Sequence, residues 1–376
     1  MAGTRGSGIS PVQQEYLDIL RSALWGQTPQ NIPKDVEGVL AIADIQKTRP
    51  LILDALQKAG YEGIGEDAWA VIYRNTASHL ALNRFIAKLV PLFRESGIDP
   101  VLLKGQGVAV NYPEPVLREC GDIDLYVGEQ KYQAACELLK SMADGSATSF
   151  ESEKEKHYHL CINGVHVELH RYCDTSQIRR ENVFLQSIAD AGLSRDLVPV
   201  EIGEVSLNTP ADSFNAFYLF YHIWHHFIFE GIGLRQFCDW TLFLHSRAGK
   251  LDTSVIEVAL KKLHLQAPWQ YFASIAVDYL GLPPSEMPFY KADCKERAAD
   301  YLAIILQDGN FGHGSAVPSK RPSGSIAGKW HTISMILRKS RHLFGIFPEL
   351  RPLLFLFAVG EVKAGINRTV KESLHK

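Results

Sequence analysis

The stretch 101-VLLKGQGVAVNYPEPVLRECGDIDLYV-127 decides the fold, and the rest of the chain is read outward from it. Val101, Leu102 and Leu103 form a short apolar run, the mark of a buried strand, and Lys104-Gly105-Gln106-Gly107 follows directly. Glycines in such a turn let amide N–H groups face an anion, because no Cβ holds a phosphate off the backbone. A short helical turn closed by Pro113 and Pro115 comes next. In Gly121-Asp122-Ile123-Asp124-Leu125-Tyr126-Val127 the two-residue period of a strand puts both carboxylates on one face, and Ile123 and Leu125 on the other. Two acids so placed repel each other unless a divalent cation sits between them. Mg²⁺ held by a few carboxylates and substrate phosphates is the usual arrangement. A solvated strand end is the plainer account of a bare D-x-D; the upstream glycine turn and the basic Arg118 favour the metal.

These residues resemble a known family. The glycine turn at Gly105 followed by Gly121-Asp122-Ile123-Asp124 is similar to the signature of the DNA-polymerase-β-like nucleotidyltransferase superfamily. The longer string LKG, YPEP and R-x-x-G-D-I-D-L-Y-V resembles an uncharacterised bacterial nucleotidyltransferase family within it, over residues 102–169. The resemblance implies an α+β fold with a small mixed sheet flanked by helices, a pair of metal ions, and transfer of a nucleoside monophosphate from a nucleoside triphosphate such as ATP. It implies that Asp122 and Asp124 bind Mg²⁺, with Mn²⁺ as the alternative ion. Lys104 and the amides of Gly105, Gln106 and Gly107 would then hold phosphate oxygens, with Arg118 as an electrostatic helper.

A third acid completes the set. Residues 157–162 and 165–169 flank Asn163-Gly164, the strongest short hairpin signal. The second strand sends Val165, Val167 and Leu169 one way and His166, Glu168 and His170 the other. An acid on that face is where the resembled superfamily keeps its third carboxylate, so Glu168 takes the role of general base or of metal ligand. His166 and His170 flank it as secondary candidates, and a solvated glutamate on an edge strand is the plain alternative.

Helical periods fill the flanks. A helix is expected from Val12 to about Trp25, short helices across 36–56, and a long one over 67–90 that runs past Pro91 to a cap at Gly97. Residues 129–143 read as a helix ended by the polar break Asp144-Gly145-Ser146. From Thr209 the pattern turns to long helices, with Thr209 or Asp212 as a cap and an aromatic stripe from Phe214 to Phe229. His222, His225 and His226 lie on that stripe. They read as packed histidines rather than a zinc site, since no H-E-x-x-H accompanies them. Arg235 and Asp239 then sit four apart, giving either a surface ion pair or, as a similar G-x-x-L-R-x-x-x-D-W in the resembled family implies, an arginine aimed at nucleotide and oriented by Asp239. Helices are expected at 254–265, 269–280 and 295–307, followed by a loop of about 20 residues from Gly309. The tail from Lys329 reads as a basic amphipathic helix that packs on its own domain, on a partner or on a membrane surface.

Composition bounds the reading. A net charge of −3 supplies no global basic field, which disfavours a long nucleic acid as substrate. Six cysteines without a C-x-x-C pair, and a first ten residues with no apolar segment, point to a cytoplasmic chain. No apolar run reaches the roughly 18 residues a span requires. The expected organisation is an N-terminal helical extension over 1–97, a catalytic core over 98–208 and a C-terminal helical domain over 209–376. The expected function is Mg²⁺-dependent nucleotidyl transfer to a small-molecule or protein hydroxyl. The alternative is a catalytically silent nucleotide-binding or regulatory module of the same fold.

Overall fold

The computed structural model describes residues 8–63, 65–142, 148–149, 157–176, 178–310 and 347. Ser10 starts the first helix, α1 (Pro11–Leu24), through a capping box in which its Oγ accepts from the Gln13 amide and the Gln13 side chain accepts from the Ser10 amide. Asp35 caps α2 (Val36–Gln46), and α3 (Arg49–Lys58) follows at once. The long helix α4 (Glu66–Glu95) carries Pro91 inside it and ends where Gly97 takes a φ of +68°. Its residues Leu82, Ile86, Leu89, Val90 and Phe93 recur at helical spacing and are buried against the sheet.

That sheet is built from β1 (Val101–Leu102), β2 (Asp122–Tyr126), β3 (Thr148–Ser149), β4 (His157–Ile162), β5 (Val165–His170), β6 (Val198–Ile202) and β7 (Val205–Thr209). The order is β3-β4-β5-β2-β1-β7-β6. Pairs β2–β5 and β1–β7 are parallel and the rest antiparallel, so the sheet is mixed. The short helix α5 (Gln106–Ala109) lies between β1 and β2, α6 (Gly128–Ser141) follows β2, and α7 (Arg179–Gly192) follows β5. Asn163 and Gly164 both have positive φ, as a two-residue hairpin loop requires, and Val165 pairs back on Ile162. Alternation sends Ile123, Leu125, Leu160, Val167 and Leu169 into the core with α4 and α6.

The remaining helices are α8 (Asp212–Phe229), α9 (Leu234–Ser246), α10 (Thr253–Lys262), α11 (Gln266–Ser274), extended by a π turn at Ile275–Tyr279, and α12 (Lys295–Asp308). Their core is aromatic: Phe220 meets Trp269 edge-on at 4.9 Å, and Phe237 meets Phe272 at 5.0 Å. Helices α1 to α3 share this core through Tyr16, Leu20, Leu24 and Leu56. Buried Gln46 ties the two parts, donating to the carbonyls of Ile305 and Leu306 and accepting from the Leu234 amide at 2.9 Å.

The α+β architecture matches the expectation, and several local expectations change. Neither Thr209 nor Asp212 caps α8: the Thr209 hydroxyl donates to Val198 O at 3.0 Å, and Asp212 accepts from Arg247. The β6–β7 hairpin and α7 were not foreseen. The polar break at 144–146, the loop beyond Asn310 and the basic tail from Lys329 lie outside the described residues. No described helix is long and apolar enough to cross a membrane.

Candidate active site

Register assembles the site. Because β5 runs parallel to β2, Asp122 stands beside His166, Asp124 beside Glu168 and Tyr126 beside His170. On the far side of β5, antiparallel β4 sets His159 beside Glu168 and His157 beside His170. With their apolar neighbours turned into the core, these polar residues share the opposite face. His170 Nε2 donates to Asp124 Oδ1 at 2.9 Å and lies 3.4 Å from Glu168 Oε2. Lys104, on the turn after β1, brings its Nζ to 3.2 Å from the same Asp124 oxygen. Asp124 is only 2% exposed, so these contacts are made out of water.

The charges are strongly coupled. Burial pushes the Asp122 carboxyl up to about 6, and the negative charges of Asp124 and Glu168 push the same way, against Lys104 and Arg235. Burial opposes ionisation of Asp124 too, yet Lys104 and the His170 hydrogen bond hold it far below the usual carboxylate range. Glu168 is likewise held low, burial notwithstanding, chiefly by His170. Burial would lower Lys104 and His170, but the carboxylates around them raise both. Asp122 is raised first by burial and then by the charges of Asp124 and Glu168, so three carboxyl groups crowd one buried face beside a single lysine. That crowding is what a divalent cation would meet.

The donor set fits such an ion. One ligand atom each from Asp124, Glu168 and His170 lies within 4.8 Å of the others, the only such group of three among the described residues. Asp122 is outside that trio, and His170 is inside it, whereas the sequence pointed to Asp122, Asp124 and Glu168. His166 is turned elsewhere, sharing a hydrogen bond of 2.9 Å with His159. On α8, His222 and His226 meet edge to face at 4.4 Å, His226 bonds Glu230, and His225 lies 3.6 Å from Asp174.

The glycine turn divides its labour. Gly105 has φ +54°, and a Cβ there would stand 3.3 Å from the Asp122 carbonyl oxygen. Gly107 is a packing glycine: a Cβ would press on Leu102 and Thr209 at 3.2 Å, and its amide donates to Lys104 O. The Gln106 side chain is buried, donating to Asn83 and accepting from the Cys120 thiol at 2.7 Å. Of the turn's side chains only Lys104 reaches the acids. Gly105→Val is expected to cost roughly 1–3 kcal/mol of stability from backbone strain, and with it nucleotide affinity. Thermal unfolding and a calorimetric nucleotide titration check both, and unchanged values would remove Gly105 from the site.

Arg118 and Asp239 correct the sequence reading. Arg118 is 5% exposed, and its Nε and Nη2 donate to the two Asp239 oxygens at 2.7 and 2.8 Å. Tyr112 donates to Asp239 as well, at 2.7 Å, and Arg118 Nη1 donates to Glu119 O. Asp239 therefore orients Arg118 rather than Arg235, because a bidentate pair across elements satisfies both groups better than an i,i+4 helix pair. Arg235 turns the other way: its Nη1 donates to Glu119 O at 2.9 Å, its buried Nε has no hydrogen-bond partner among the described residues, and its charge is felt at Asp122. Arg118, Arg235 and Lys47, which pairs with Glu119 at 3.8 Å, together hold the peptide that leads into Asp122.

The mixed sheet sets two aspartates on one strand beside a glutamate on a parallel neighbour, with a lysine from the glycine turn at Asp124, the arrangement expected of a nucleotidyltransferase. The model of a family described as uncharacterised nucleotidyltransferase matches residues 33–281, more than half of the chain, and the protein belongs to that family. No curated protein and no solved structure matches it.

Proposed function

We propose that the protein moves a nucleoside monophosphate from a nucleoside triphosphate to a hydroxyl of a small molecule or a protein, with Mg²⁺ or Mn²⁺ as the cofactor. The observation that carries this reading is the register of Asp124 beside Glu168, with Lys104 above Asp124. When bound, the divalent cation would polarise the α-phosphate and offset charge on the departing pyrophosphate. Asp122, Asp124 and Glu168 are the residues that would hold it. Lys104 offers its ammonium, and Gly105 its close backbone, to phosphate oxygens, and Arg235 adds positive charge on the Asp122 side. The acceptor hydroxyl gives its proton to Glu168 as its oxygen bonds the α-phosphorus and the bond to pyrophosphate breaks.

A net charge of −3 supports a compact acceptor over a polynucleotide, and scattered cysteines support a cytoplasmic setting. Residues 98–208 would then form the catalytic core between the helical parts 1–97 and 209–376.

Incubating the full chain with each nucleoside triphosphate, labelled at the α-phosphorus, a divalent cation and fractionated candidate acceptors tests the reading. Label is expected to move to one acceptor fraction; release of inorganic phosphate alone would point to a hydrolase. The role of Glu168 is separable. Glu168→Gln is expected to lower the single-turnover rate by about 10²–10⁴-fold with nucleotide affinity nearly constant if the carboxylate is the base. Affinity and rate falling together would assign it to the metal, and a variant normal in both would remove it from the site.

A further inference from the structure

His170 has no part in the reading above, yet it is among the most enclosed donors of the site. It ends β5, is 3% exposed, and follows Glu168 by two residues, so strand alternation aims it at the same face. Its Nε2 lies 2.9 Å from Asp124 Oδ1 and 3.4 Å from Glu168 Oε2. Its Nδ1 is buried and has no hydrogen-bond partner among the described residues. Here every hydrogen bond of the ring is spent on the two carboxylates.

From this juxtaposition we infer that a cation held by Asp124 and Glu168 displaces the Nε2 proton to solvent and takes His170 Nε2 as a ligand, and that this position takes a first-row transition cation such as Mn²⁺ in preference to Mg²⁺. The inference rests on the nucleotidyltransferase reading of the acids and specifies which ion they hold. Oxygen donors alone suit Mg²⁺, which gives up its waters reluctantly and keeps several of them. An imidazole nitrogen is a softer donor, and replacing one oxygen by nitrogen moves preference along the series from Mn²⁺ towards Zn²⁺. Three protein donors within 4.8 Å of one another also leave fewer positions for water than a pair of aspartates does. Asp122, outside the trio, remains an all-oxygen position beside it.

Mn²⁺ bound to the full chain, without nucleotide, is the probe. Pulsed electron paramagnetic resonance is expected to show ¹⁴N coupling from a directly bonded imidazole, and calorimetry to show Mn²⁺ binding at least about tenfold tighter than Mg²⁺. His170→Gln is expected to abolish the coupling and the preference, while Asp122→Asn keeps the coupling. Mn²⁺ bound without ¹⁴N coupling in the unmodified protein overturns the inference however the variant folds, as does a His170→Gln protein that retains the preference or a wild-type chain that binds no Mn²⁺. If ¹⁴N coupling is absent while α-labelled nucleotide still reaches an acceptor, only the role of His170 falls. If neither cation binds and no label moves, the reading of the acids falls with it.

Discussion

Asp124→Asn is expected to lower nucleotidyl transfer by at least about a thousandfold, ~4 kcal/mol in barrier, while the protein still folds. The substitution keeps the shape of the side chain and removes the charge at the point where Lys104 and His170 converge, 3.2 and 2.9 Å from one oxygen. Asp122 and Glu168 remain on the same face beside Lys104 and His170, so the lysine keeps a counter-charge there. Burial holds the Asp122 carboxyl up at about 6 and repulsion from Asp124 adds to it, so without the Asp124 charge Asp122 should titrate lower in the variant. Asp122→Asn is expected to abolish transfer as well, through the same strand face. Single-turnover rates with far-ultraviolet circular dichroism decide the matter. Activity within about tenfold of wild type in both variants would sink the metal assignment.

Asp239→Ala is expected to destabilise the fold by about 3–5 kcal/mol, because it strands the Arg118 guanidinium in a buried position without its partner. The Tyr112 hydroxyl loses its acceptor in the same step. Arg118→Met combined with Asp239→Leu is expected to be less damaging than either single change, since no charge is then left unpaired. Urea denaturation measures all three. A loss under about 1 kcal/mol in Asp239→Ala would contradict the clamp. If Arg118 instead met nucleotide, as its place beside the acids implied, its substitution would weaken nucleotide binding with little change in stability.

What the two residues show in miniature holds across the molecule. Alternation in 121-GDIDLYV-127 and in 165-VHVELH-170 is local, as are the Asn163-Gly164 turn and the helical period of α4, and each is visible in a few neighbouring residues. From these came the face shared by Asp122 and Asp124, the polar face that carries Glu168 and the hairpin, while the α+β class and the grouping of the three acids came from the resemblance they carry. The β6–β7 pair was missed because V-P-V-E-I-G-E-V-S-L-N-T mixes a proline and charges into its alternation, and only pairing with β1 marks it as part of the sheet. The turn around Gly105 reads as one phosphate cradle in sequence. In three dimensions it separates into Gly105 with positive φ, Gly107 packed on Leu102, and Gln106 bonded to α4.

Long-range choices were left to the tertiary structure. Arg118 and Asp239 are 121 positions apart, and nothing in either neighbourhood says that they share two hydrogen bonds while Arg235 turns to Glu119. Helices α1 to α3 read as an extension, but their apolar stripes are covered by α8 to α12, because an amphipathic face states how much must be buried and not against what. His170 carried no more signal than His166 in the strand pattern. Parallel register put one against Asp124 and left the other bonded to His159, so which histidine joins the acids is a property of strand pairing, which sets distances that spacing along one chain cannot.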